Sequence, residues 1–205
     1  MRDSQRSKVY AWENKLFQNH GLKKFIAPEN FDECMSLEEC NRFATDVWNA
    51  HKNKFFRNFN EKQTRVAKVI CSNNAGGRHA AAFMGNYFVK NYRKVKDGRN
   101  NCYKKMRLPR WGRSKHIIIH EVSHFLCHEN EQHGRDFVGV YMILLNKYLA
   151  FSLQSMCDLA YSMNIDWSFS GSPNLNKAFK KAVQPEIEFE ALRLGGVEWN
   201  SLLKR

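Results

Sequence analysis

His120-Glu-Val-Ser-His124 lies inside an almost charge-free run, from Ile117-Ile-Ile119 to Phe125-Leu126, and this run constrains the fold more than any other part of the chain. Residues four apart share one face of a helix, so His120 and His124 point the same way, with Glu121 beside them. An uncharged flank of this kind belongs in a core, where unpaired ions are too costly to bury. The domain must therefore be built around this helix, covering its back while keeping two imidazoles and a carboxylate together.

Such a trio carries a specific chemistry. Imidazoles at i and i+4 can grip one zinc ion, and the intervening Glu can act as base on the water that zinc activates. A catalytic zinc keeps three protein ligands and one open position. His133, followed by Gly134, supplies the third ligand, because Glu129 to Gln132 reads as a turn and Gly134 allows close backbone approach. His128, on the face of His120 if the helix runs on unbent, is a rival third ligand; Glu129 and Glu131 are weaker ones. His116, His20, His51 and His79 read as ordinary histidines, and Cys127 beside His124 reads as packing rather than as a nucleophile. Nucleophile-elbow, P-loop and dinucleotide-binding glycine patterns are absent from the sequence.

Around the motif the chain reads as α+β. Lys8 to Phe17 is a strand or a short helix. Ser36-Leu-Glu-Glu39 is a capping box opening a helix to about residue 56, with Leu37, Cys40, Phe43, Ala44, Val47 and Trp48 at helical spacing. Arg65–Cys71, Arg78–Lys90 and Cys102–Leu108 read as three strands, separated by the Asn73–Gly77 turn and the basic loop Asn91–Asn101. The motif helix starts near Lys115 and a second runs from about Gly134 to Met163, with a short helical patch at Asn176–Val183. The main domain is expected over 36–165. A basic segment (1–35) precedes it and an appendage (166–205) follows.

The 205 residues carry 33 Lys and Arg against 20 Asp and Glu, a net charge of +13, which favours a polyanion such as DNA as a partner. Six scattered cysteines without a CxxC pair read as reduced thiols, and no apolar stretch has membrane-spanning length. With no secretory signal, the expected location is cytoplasmic, or host cytoplasm or virion if the source is viral.

Met106-Arg-Leu-Pro-Arg-Trp111, the HEVSH run and His133-Gly-Arg-Asp-Phe137 together resemble the SprT-like branch of zincin metallopeptidases and the small HExxH metallohydrolases of actinobacteria and their phages. Lys8-Val-Tyr-Ala-Trp-Glu13 is similar to the start of the phage-type group. The resemblance covers about residues 102 to 145. It implies a compact zincin-like domain, its small sheet packed on the motif helix and the long helix after it, with a zinc site of His120, His124 and His133 and Glu121 as the catalytic base. The zinc ribbon and DNA-targeting segments of some relatives are not recognisable in this sequence.

The resulting expectation is a zinc-dependent hydrolase. It would be a metallopeptidase cleaving protein or peptide substrates through Glu121-assisted attack of zinc-bound water, with Tyr141, Arg113 or Arg135 as candidate oxyanion donors. A DNA-associated substrate would join the motif to the charge. The rival expectation is a non-catalytic structural or nucleic-acid-binding component of a phage assembly that retains the fold.

Overall fold

The computed structural model describes residues 3, 5–22, 28–55, 66, 68–74, 80–88, 102–127 and 132–168. Among the described residues five α-helices, α1 (Arg6–Asn19), α2 (Leu37–Phe55), α3 (Lys115–Leu126), α4 (Arg135–Leu149) and α5 (Leu153–Ser162), accompany three strands, β1 (Lys68–Asn73), β2 (Ala81–Phe88) and β3 (Cys102–Leu108). Short 3-10 turns lie at Pro28–Glu33 and Arg110–Gly112. The fold is α+β, as the sequence leads one to expect. Strand order is β1-β3-β2, with β3 parallel to β1 and antiparallel to β2.

The capping box forms as read from the sequence: Glu39 N–H donates to Ser36 Oγ (3.2 Å) and Ser36 N–H donates to Glu39 Oε2 (2.7 Å). From that start α2 buries Cys40, Ala44, Val47 and Trp48 completely. A second row on the same helix, Asn41, Thr45, Trp48 and Lys52, recurs at helical spacing and turns to the strand side. Asn41 Oδ1 accepts from Cys71 N–H (2.5 Å), and Thr45 Oγ1 both accepts from Val69 N–H (3.0 Å) and donates to Val69 O (3.2 Å). Trp48 Nε1 and Lys52 Nζ both donate to Val66 O, each at 2.8 Å. The bonds to Val69 and Cys71 satisfy backbone groups of β1, which among the described residues pairs with β3 alone, and those to Val66 satisfy a carbonyl just ahead of the strand.

Val69, Cys71, Met106 and Leu108 are buried in the core; β1 packs on α2, α2 on α3, and α3 in turn on β2 and α4. The helix sharing the sheet with α3 is thus α2, with α4 stacked against α3 itself. One core holds all of this together with Val9, Trp12, Leu16 and Phe17 of α1, which come from the stretch set apart in sequence as a basic segment.

One expectation is corrected. The apolar rhythm from Gly134 to Met163 is two helices. Ala150 takes a left-handed conformation (φ 56°), Asn146 Nδ2 donates to Phe151 O (2.7 Å), and Ser152 caps α5 by accepting from Ser155 N–H. Both helices bury Leu and Met in the same core, and Phe151 between them is buried too, so the rhythm runs through the break. The Asn91–Asn101 loop, the Asn176–Val183 patch and His79 lie outside the described residues.

Candidate metal centre

The back of α3 is anchored by Ile118, Ile119, Val122 and Phe125, all fully buried, which fixes which way its other face looks. That face presents His120, Glu121 and His124. His133 arrives just before α4, on a chain that reverses at Gln132. Gln132 takes the left-handed conformation (φ 50°), whereas Gly134, with φ −68°, uses none of glycine's extra freedom. One ligand atom from each of His120, His124 and His133 lies within 4.8 Å of the others, so these three histidines form a group able to hold a metal ion.

Each imidazole is oriented from behind. His120 Nδ1 meets Glu13 Oε1 of α1 at 2.5 Å, and His133 Nδ1 meets Asp3 Oδ2 at 2.6 Å. His124 makes a backbone hydrogen bond to Gln132. A carboxylate on Nδ1 keeps the proton there and leaves Nε2 with a lone pair. The two Nε2 atoms of His120 and His133 face each other at 3.4 Å. Two lone pairs at that distance repel unless a cation lies between them. The outer carboxylates also supply negative charge to offset a divalent ion.

Aromatic rings close the surroundings. Phe137 stacks on His124 (4.3 Å between centroids) and stands edge-on to His120 (5.1 Å) and His133 (5.0 Å). Tyr10 of α1 stacks on His120 at 5.8 Å and meets His133 edge-on at 5.1 Å. Burial, and then the charges of its neighbouring histidines, hold His124 well below the usual imidazole value; burial lowers His133 as well, against the pull of Asp3. Burial pushes the Glu121 carboxyl up to about 7, with His120 and a backbone hydrogen bond at Ala82 acting against the rise. A carboxyl in that range can both take and return a proton near neutral pH.

Of the residues singled out in sequence, His120, Glu121, His124 and His133 come together; His128, Glu129 and Glu131 lie outside the described residues. His116 is engaged elsewhere, with Ser114 Oγ at 3.2 Å and the Phe17 ring at 4.7 Å. His20 stacks on Phe151, and Lys147 Nζ lies 3.3 Å from His51 Nε2. The Tyr141 hydroxyl is buried against the Glu13 carboxylate without reaching good hydrogen-bond geometry, while Arg113 is tied to Asn73 (2.9 Å).

Glu13 and Asp3 were not anticipated. Asp3 has no signal in the sequence. Glu13 has one: Val9, Trp12, Glu13, Leu16 and Phe17 follow the spacing of a buried helix stripe, and an acid at such a position needs a buried partner.

Among the described residues no helix is long and apolar enough to cross a membrane. No family model matches the chain, and no curated protein or solved structure matches it.

Proposed function

We propose that the chain is a zinc-dependent hydrolase, a metallopeptidase of the SprT-like, zincin type whose base is Glu121. The observation that carries this reading is the 3.4 Å between the facing Nε2 atoms of His120 and His133, each imidazole backed by its own carboxylate. Tetrahedral zinc with bonds of about 2.0–2.1 Å sets two nitrogen ligands about 3.3–3.4 Å apart. Three neutral imidazoles suit zinc, and a bound zinc supplies Lewis acidity that makes water a nucleophile at neutral pH.

The protein's own groups do the rest. Glu121, held next to His120 and touching the backbone at Ala82, accepts a proton from the attacking water and returns it to the leaving amine. Glu13 and Asp3 keep the ring protons on Nδ1, so His120 and His133 present their Nε2 lone pairs to the site and are held correctly turned. Tyr141, facing Glu13, belongs to this orienting shell rather than to an oxyanion hole. Among the described residues β2 has one strand partner, β3, and it passes Glu121 at Ala82, which favours an extended peptide as substrate by strand addition. The +13 charge favours substrates associated with nucleic acid.

Elemental analysis of protein purified without added metal is expected to find one zinc per chain, lost in the His120→Ala/His124→Ala double variant. Glu121→Gln is expected to keep the zinc and lose activity by about 100-fold or more, the scale of a general base. A Glu121→Gln protein that cleaves peptides at the parental rate would remove Glu121 from the mechanism. Zinc-loaded protein that shows only salt-sensitive DNA binding and no cleavage would leave the structural, nucleic-acid-binding reading in its place.

A further inference from the structure

The carboxylate behind His120 sits inside a helix, whereas the one behind His133 lies ahead of α1, at residue 3. What holds it there is a pairing between distant parts of the chain. The Gln5 amide closes a two-bond ring with the backbone of Asp166: Nε2 donates to Asp166 O (3.2 Å) and Oε1 accepts from Asp166 N–H (2.7 Å). One turn along α1, Lys8 Nζ donates to Asn164 O (2.9 Å). The 164–168 segment is itself fixed: Ile165 is buried in the core, and Ser168 N–H donates to Arg135 O (2.9 Å) in the first turn of α4. Arg135 is two residues from His133. A closed circuit therefore runs from Asp3 through Gln5, Asp166, Ser168 and Arg135 back to His133.

We propose that this circuit is a positioning device for the metal centre, so that metal binding and docking of Gln5 and Lys8 on residues 164–168, which holds Asp3 in place, strengthen each other. The inference rests on the metal-site reading above. The physical link is the His133 ring. A cation on Nε2 draws electron density from the imidazole, makes Nδ1–H a better donor, and tightens its bond to Asp3. Coupling of binding free energies is reciprocal, so a docked Asp3 raises metal affinity by the factor by which metal favours docking. Glu13 needs no such device, because Trp12 beside it is buried and its Nε1 donates to Met156 O (3.3 Å).

The test is a zinc titration against a chromophoric chelator, using the metal-free full chain and its Asp3→Asn and Gln5→Ala variants, with hydrogen exchange at residues 5–9 and 165–168 followed with and without zinc. Asp3→Asn is expected to weaken zinc binding by about 10–100-fold, the usual cost of an outer-shell partner. Gln5→Ala, which touches no ligand, is expected to weaken it by about fivefold, the low end of site-to-site coupling. In the parent chain zinc slows exchange in both segments; in Asp3→Asn it does not. Equal zinc affinity in all three proteins, or exchange that ignores zinc, overturns the inference while leaving the metal site standing. A parent chain that takes up no zinc overturns both. Because Gln5 sits at the start of α1 and outside the core, its variant keeps the test decisive if Asp3→Asn misfolds.

Discussion

Helices α1 and α2 each finish something left open, and they do so in different ways. The row Asn41, Thr45, Trp48, Lys52 on α2 hydrogen-bonds the backbone of β1 and of Val66 just ahead of it, and the apolar row beside it fills the core. α1 packs Val9, Trp12, Leu16 and Phe17 in the same core, yet places Glu13, a carboxylate 1% exposed, on His120. The first arrangement spends polar groups on architecture, and the second spends one on chemistry. A charge buried in α1 is reasonable only if its partner has a use for it, since an apolar residue of similar size would stabilise the fold as well or better.

The contrast can be broken by substitution. The largest effect should come from Trp48→Ala, which removes a fully buried ring and its bond to Val66; a loss of about 3–5 kcal/mol in denaturant unfolding is expected. Glu13→Gln should do the reverse, leaving the metal-free fold about as stable while weakening zinc binding by about 10–100-fold in a chelator competition. If Glu13→Gln binds zinc like the parent, α1 is a packing helix no different in kind from α2. Thr45→Val strips Val69 of both backbone partners, and its expected cost is about 1–3 kcal/mol with zinc affinity unchanged.

Acid gives the most gradual response. His124 and His133 have folded values below the usual 6.5, so they add stability above 6.5 that is lost as the pH falls through their folded values. Glu121, raised from 4.5 to about 7, works the other way: its contribution is full below 4.5 and lost as the pH rises through 7. In the metal-free protein the two partly cancel between 4.5 and 6.5. Glu121→Gln should therefore lose stability with acid more steeply than the parent, measured by denaturant midpoints across that range. Equal slopes would mean that Glu121 is not buried as described.

How much of this was legible in the sequence follows from how local each signal is. The α2 capping box and the β3 limits are set by neighbouring residues, and both appear where the sequence puts them. The His120–His124 pair is fixed by helix geometry alone. His133 needed only a turn, read at Glu129 to Gln132, and Gln132 takes the left-handed conformation at its end. The α4–α5 break was hidden because no Gly or Pro marks it; Ser152, accepting from Ser155 N–H, is its one local sign. Glu13 and Asp3 reach partners 107 and 130 residues away, a distance over which no spacing rule operates.

The Gln5–Asp166 ring joins residues 161 apart, and that separation sets an order of events during synthesis. At about 5–20 residues per second, α1 waits roughly 8–32 seconds after emerging before its docking site exists. Glu13 and Trp12 wait in the same way for His120 and Met156, which lie 107 and 144 residues further along the chain. The α2–sheet half closes its contacts over shorter stretches of chain and can form first. Among the described residues the clamp on Asp3 is therefore the last part of the candidate metal centre to be assembled, and a nascent chain halted before residue 166 would carry the complete HEVSH helix but not the clamp that holds Asp3 on His133.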